Sequence, residues 1–220
     1  MIAFKFLNVE QNTPEWFDLR AGKLTSSKLG TIMANYPNAF GAPAKKYAVN
    51  LALEKINKTP ISSEYNNSHM ERGHEQEPLA RELYEDEHFC TVDNGGFFYT
   101  NEIGCSPDGL VGNDGVIEIK SVVPSVHFMN VKRGGFDPAY KWQVIGNLLF
   151  TGRQWIDFIS FSLPYPRDKQ LYTYRVHLND VEQEIKQITI RINQFLELVK
   201  NTKSLILNSN YCILNEKRSN

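Results

Sequence analysis

The chain is poor in the residues and patterns that mark several common classes. Its cysteines, Cys90, Cys105 and Cys212, are three in number and form no Cys-x-x-Cys pair. That argues against a disulfide framework and removes the paired thiolates of zinc and iron–sulfur sites. Free thiols in a reducing cytoplasm are expected, each acting as a small buried hydrophobe. The five histidines are unclustered, and His69 and His74 do not share a helix face. No apolar run approaches the roughly 18–20 residues of a membrane span, so no membrane association is expected. The start, "MIAFKFLNVEQN", has no basic segment leading into a long apolar stretch, and no secretory signal is expected. An excess of one charge is missing too, since 24 Lys and Arg balance 25 Asp and Glu. This argues against a histone-like or tail-driven nucleic-acid binder, but leaves room for a local basic groove around an acidic, cation-filled centre.

What is present suits one domain over residues 1–220, with 41% hydrophobic residues to build a core. "NTPEWFDLRAG" has a helix start at Thr13-Pro14 and a stop at Gly22. "LTSSKLGTIM" offers a second start at Thr25 or Ser26, and "APAKKYAVNLALEKINK" a third helix. A fourth runs through "ERGHEQEPLARELYEDE", which Pro78 must begin or kink. "GGFFYTNEIGCS" and "GVIEIKSV" read as strands separated by the turn-rich "PDGLVGNDG". "DPAYKWQVIGNLLFTG" is helical, with Asp137 as cap, Pro138 next and Gly152 as stop. "QWIDFISFSL" and "QLYTYRVHL" alternate as a strand hairpin. The last helix starts at Asn179 with Glu182 as a capping-box partner, its apolar stripe running from Val181 to Val199. A polar tail, 201–220, follows strands and helix in 153–200. The whole reads as α/β or α+β, a central mixed sheet flanked by helices.

The tripeptide Glu-Ile-Lys occurs twice, at 118–120 and at 184–186. On a strand, Glu118 and Lys120 share one face and Ile117 and Ile119 the other. On a helix, Glu184 and Lys186 diverge by about 200°. Only the first copy can be a site, and its plain alternative is a weak surface ion pair. Asp108, in "CSPDGL", shifts the balance, although Pro-Asp-Gly is also ordinary turn chemistry. Clustered carboxylates favour a hard divalent cation with oxygen ligands, Mg²⁺ above others. A strict two-residue turn at Asn113-Asp114 would set Asp108 opposite Ile119, facing away from Glu118. A longer turn, a bulge or a bend is therefore required, and Gly109 is the expected place.

Ser-Pro-Asp-Gly followed by Glu-x-Lys resembles the core of the PD-(D/E)xK nucleases. More narrowly, four ordered blocks between Trp16 and Gly152 resemble the phage lambda exonuclease and YqaJ-type viral recombinase family: "WFDLRAGKLTSS", "RGHEQEPLARELYE", "GCSPDGLVGNDGVIEIK" and "GGFDPAYKWQVIGNLLFTG". The resemblance implies a restriction-endonuclease-like core. It implies that Asp108 and Glu118, with the Ile119 carbonyl, hold Mg²⁺, and that Glu77 adds a carboxylate directly or through water. Two ions are expected, with Mn²⁺ able to substitute. Lys120 would orient or help deprotonate the attacking water. For Glu77 the competing reading is an i,i+4 pair with Arg81.

The resemblance further places Arg20, Ser27, Ser106 and Gln143 around a terminal 5′-phosphate; singly they read as a helix-ending Arg, a capping Ser, a turn Ser and a surface Gln. Lys45, Lys46, Lys132, Arg133, Arg167 and Lys169 could track a DNA backbone or be solvated surface. The activity implied is 5′→3′ degradation of double-stranded DNA from phosphorylated ends, leaving 3′ single strands for viral or prophage recombination. Implied partners are double-stranded DNA, a single-strand annealing recombinase and further copies in a homotrimer. The implied location is cytoplasmic, in the host cell for a phage protein. The alternatives are an endonuclease or repair nuclease of the same superfamily, and a non-catalytic DNA-binding protein on this fold.

Overall fold

The computed structural model describes residues 4–61 and 68–209, apart from the side chains of residues 68–72 and of His74. The His69–His74 comparison, Cys212 and residues 210–220 of the expected tail lie outside the described residues.

Local signals set most elements. After β1 (Lys5–Leu7), the Thr13 side chain accepts the Trp16 N–H and caps α1 (Pro14–Arg20). β2 (Leu24–Thr25) leads through a 3₁₀ turn at Ser26–Lys28 into α2 (Leu29–Met33). The start expected at Thr25 or Ser26 is thus a 3₁₀ turn, and Thr25 makes no side-chain capping bond. α3 (Ala42–Asn57) buries Ala44, Ala48, Leu51 and Ala52. α4 (Ser68–His88) carries Pro78 in its interior.

Short strands follow: β3 (Val92–Asp93), β4 (Phe97–Tyr99), β5 (Ile103–Cys105) and β6 (Gly109–Val111), then the longer β7 (Gly115–Ser121). β6 lies inside the segment expected to be turn alone. α5 (Pro124–Arg133) has no counterpart in the sequence reading. Asp137 accepts the Ala139 N–H and starts a 3₁₀ turn, Pro138–Tyr140, that runs into α6 (Lys141–Thr151), which stops at left-handed Gly152. β8 (Trp155–Phe161) and β9 (Leu171–His177) form the expected antiparallel hairpin. The expected capping box at Asn179 does not form. A 3₁₀ turn at Leu178–Val181 precedes α7 (Glu182–Asn208), whose cap position, Val181, makes no side-chain bond. α7 also continues past Lys200, so the polar 201–208 stretch is helix rather than tail. Its buried residues Ile188, Ile192, Phe195 and Val199 keep the expected 4-3-4 spacing.

The fold is α/β, with two mixed sheets. One has the order β1-β4-β5-β2, the other β3-β6-β7-β8-β9. In the five-stranded sheet β7 and β8 are parallel, and the crossover between them carries α5 and α6. Successive residues of β7 face opposite sides. Ile117 and Ile119 pack with Ala80 and Tyr84 of α4. Val116 packs with Val144 and Leu148 of α6. The largest cluster joins α2, α3, α7 and β5. Asp157 and Arg175 lie opposite each other on β8 and β9 in a bidentate pair at 2.7 and 2.8 Å. The Tyr84 hydroxyl donates to the same carboxylate at 2.7 Å and anchors α4 to the sheet. No helix among the described residues is long and apolar enough to cross a membrane.

The β6–β7 turn decides the site. Val111 pairs with Gly115, so the loop is the three residues Gly112, Asn113 and Asp114, not two. Gly112 supplies the left-handed residue, at φ +53°. The added residue lies at the turn rather than as a bulge at Gly109. Gly109 serves a different need: a Cβ there would stand 2.2 Å from Val92 Cγ1 and 3.0 Å from Ile117 Cδ1. We expect Gly109→Ala to lose about 1–3 kcal/mol in urea unfolding through overpacking between β-branched neighbours. An unchanged midpoint would show that β3 yields freely.

Candidate active site

In the turn register just described, the residue that continues β6 backwards opposite Glu118 is Asp108. Its backbone N–H donates to the Ile117 carbonyl at 3.1 Å, and its Oδ2 accepts the Ile119 N–H at 2.6 Å. The carboxylate thereby replaces a rung of the ladder and fastens itself to β7. No hydrogen bond to Asp108 Oδ1 is found among the described residues.

Glu118 is 1% exposed, on the face of β7 that it shares with Val116 and Lys120. Three donors hold it. Lys120 Nζ and Gln143 Nε2 reach Oε1 at 2.5 and 2.6 Å, and Asn147 Nδ2 reaches Oε2 at 2.7 Å. Gln143 and Asn147 are one turn apart on α6, so both amides face the strand. Lys120 also sits 5.1 Å from the centre of the Tyr140 ring.

Electrostatics follow from burial. Loss of water pushes the Asp108 carboxyl up to about 6; Lys120 opposes this and Glu77 adds to it. Burial, and then Asp108, push Glu118 up to about 7 against the pull of Lys120. Burial alone would lower Lys120, but Glu118 and Asp108 outweigh it and raise its proton affinity, so it stays an ammonium. Glu77, on α4, is also raised, first by burial, with Arg81 opposing. The Glu118 charge raises it further, which places Glu77 within electrostatic reach of the pair.

Glu77 forms the i,i+4 bond with Arg81, at 3.2 Å. Arg81 also donates to the Asp108 carbonyl at 2.5 Å, tying α4 to the hairpin. No three Asp, Glu, His or Cys side chains among the described residues are drawn together tightly enough to hold one ion. The carboxylates that do converge are all-oxygen donors with raised proton affinity, and Asp108 Oδ1 has no hydrogen bond among the described residues. That donor set fits a hard divalent cation.

The other expected group separates in part. Arg20 lies over the Trp16 ring at 4.0 Å, and its Nη1 is 3.5 Å from Ser106 Oγ. Trp16 Nε1 donates to the same hydroxyl at 2.7 Å. Burial lowers the Arg20 guanidinium to about 10, and among the described residues no carboxylate forms an ion pair with it. Ser27 is exposed in its 3₁₀ turn, 3.2 Å from the Thr25 hydroxyl. That turn packs on α6, where a Cβ on Gly146 would lie 3.3 Å from Ser26 Cβ. Gln143, expected at the phosphate, bonds Glu118 instead.

Three contributors escaped the sequence reading. Trp16 and Asn147 enter the sequence reading only as members of quoted blocks, and Arg81 only as a partner of Glu77. The i,i+4 spacing of Gln143 and Asn147 was the available signal for the last. Nothing local marks the Trp16–Ser106 contact, 90 residues apart. The second tripeptide is what the helix implies: Glu184 pairs with Lys141 at 3.1 Å and Lys186 is exposed.

The raised carboxyls make the metal-free fold pH-sensitive. The unfolded chain releases these protons near pH 4–4.5, whereas the folded site keeps them to about 6 and 7. Stability should therefore fall as pH rises from about 5 to 7.5, by up to about 1.4 kcal/mol per pH unit for each group. In EDTA, the thermal midpoint of the wild type should drop over that range. Glu118→Gln should flatten the curve, and equal slopes would contradict the assignment.

Comparison with known proteins identifies the family and the fold. The model of the YqaJ-like viral recombinase domain matches residues 15–154. An alkaline exonuclease from Laribacter hongkongensis is 32% identical, with a TM-score of 0.78, covering 88% of this chain and 96% of its own. The same values hold for that enzyme in complex with dAMP. A phage-related exonuclease from Haemophilus somnus 129PT shares the fold at a TM-score of 0.63 and 16% identity, covering 84% of this chain and 95% of its own. A comparison with curated proteins finds no match. On the family match and the 32% identity over most of both chains, this chain belongs to the YqaJ-like viral recombinase family.

Proposed function

We propose that the chain is a Mg²⁺-dependent exonuclease that degrades double-stranded DNA 5′→3′ from phosphorylated ends, leaving 3′ single strands for recombination. The observation that carries this reading is the convergence of Asp108, Glu118 and Lys120 across a three-residue turn, two residues from the Arg20–Ser106 pair. Membership of the family and likeness to an alkaline exonuclease support a nuclease acting on DNA ends.

Asp108 and Glu118 would hold the metal, with the Ile119 carbonyl and, directly or through water, Glu77. When bound, divalent ions there supply a Lewis acid, a more acidic water and charge to steady the leaving oxygen. Lys120, kept as an ammonium by two carboxylates, orients water by hydrogen bonding and places positive charge beside the transition state. Arg20, held flat by Trp16, can fork two hydrogen bonds to a terminal phosphate, with the Ser106 and Ser27 hydroxyls as neutral donors. Gln143 could join them with its second amide N–H or by leaving Glu118. Ser106 sits two residues before Asp108, so an anchored end phosphate would bring the neighbouring phosphodiester toward the carboxylates. Action with an annealing recombinase and assembly as a trimer belong to the same reading.

The test uses linear duplex with 5′-phosphate or 5′-hydroxyl ends, in Mg²⁺ or EDTA. Asp108→Ala should lose at least roughly 100-fold in rate, and EDTA should abolish cleavage. Arg20→Ala should lose most of the preference for phosphorylated ends, roughly tenfold. Cleavage indifferent to EDTA and to Asp108→Ala would refute the metal mechanism. Equal wild-type rates on both ends would remove the phosphate pocket, and cutting of a covalently closed circle would replace the reading with an endonuclease.

A further inference from the structure

Asn147 is the one polar side chain buried in the central turns of α6, flanked by Val144, Ile145, Gly146 and Leu148. It is 0% exposed. Burying an amide costs free energy unless its groups are bonded. Here only half the amide is satisfied: Nδ2 donates to Glu118 Oε2 at 2.7 Å, while Oδ1 has no partner among the described residues. A leucine would fill the same space in the apolar cluster of Val116, Val144 and Phe158 without that cost. Packing therefore does not account for the amide. Its hydrogen bond to Glu118 does.

The distribution of donors on Glu118 says what that bond achieves. An ionised carboxylate offers about four lone-pair sites. Oε1 already receives Lys120 and Gln143, and Oε2 receives Asn147 alone. The free acceptor site is thus on the oxygen that Asn147 holds. Gln143 is half-buried near the start of α6 and can exchange partners, whereas Asn147 is sealed in and cannot. Resting on the exonuclease reading, we propose that Asn147 is a positioning residue: it fixes the plane of the Glu118 carboxylate so that Oε2 is presented to the metal, including when Gln143 leaves. It touches neither substrate nor ion, and acts only through Glu118.

The test compares full-length wild type with Asn147→Leu and Asn147→Ser. Three quantities are read: Mn²⁺ binding to metal-free protein by calorimetry, the Mg²⁺ dependence of kcat and KM on 5′-phosphorylated duplex, and thermal unfolding. Loss of an outer-sphere donor of this kind typically weakens metal affinity about 10–100-fold. The expected result for both variants is Mn²⁺ binding at least about tenfold weaker, a lower kcat at fixed Mg²⁺, recovery at higher Mg²⁺, and an unchanged KM for DNA. A folded Asn147→Leu with wild-type Mn²⁺ affinity would overturn the proposal. Should the leucine variant not fold, Asn147→Ser decides alone, because its hydroxyl is too short to reach Glu118; wild-type affinity there overturns the proposal equally. A wild type that binds Mn²⁺, loses it in Asp108→Ala and yet degrades no DNA would sink the exonuclease reading, leaving calorimetry to judge Asn147. A wild type that binds no Mn²⁺ would end both.

Discussion

Holding Asp108 and Glu118 in one buried corner of a sheet costs free energy, because each loses water and each repels the other. Much of the surrounding architecture offsets that cost. Ile119 lends its N–H to Asp108, and Lys120, Gln143 and Asn147 surround Glu118. Arg81 reaches across from α4 to the Asp108 carbonyl. The residual cost, loss of water first, shows in the raised proton affinity of both carboxyls. On the reading proposed above, the same desolvated carboxylates that destabilise the empty fold near neutral pH would be neutralised by a divalent ion.

This corner can exist because elements distant in sequence are anchored independently of it. β7 is central, paired with β6 and β8 and covered by α4 and α6. The Asp157–Arg175–Tyr84 cluster joins α4 to β8 and β9 without using any site residue. Trp16 performs the corresponding task beside Arg20, bonding Ser106 with its ring N–H and supporting the guanidinium with its face. One indole thus aligns both members of the Arg20–Ser106 pair. The two halves of the site meet at "CSPD", where Ser106 and Asp108 belong to one short segment.

Where sequence reasoning went astray, the causes are physical. α5 escaped notice because its burial is inverted: it buries His127 and Asn130 on Ser160 and the Lys169 carbonyl, and exposes Phe128, Met129 and Val131. No apolar period signals such a helix. β6 is three residues between two turns, too short to show alternation. The Asn179–Glu182 pair fits a capping box in spacing, yet a 3₁₀ turn intervenes and the pair never takes the cap geometry. The Gln143–Glu118 bond was beyond the sequence reading, because it joins a helix to a strand residue 25 positions away.

The sequence by itself determined the α/β class, the strand that carries Glu118 and Lys120, and the divergence of Glu184 from Lys186. Each of these follows from side-chain period, a local property of the backbone. It also named Asp108 and posed the right difficulty, that a two-residue turn would aim it away from Glu118. Only tertiary structure could resolve that difficulty, because the choice between two and three turn residues depends on β6 being held between β3 and β7. The same holds for the donors on Glu118 and for the Trp16–Ser106 bond. They join residues separated by 25, 29 and 90 positions, distances over which periodicity carries no information and only packing decides what meets.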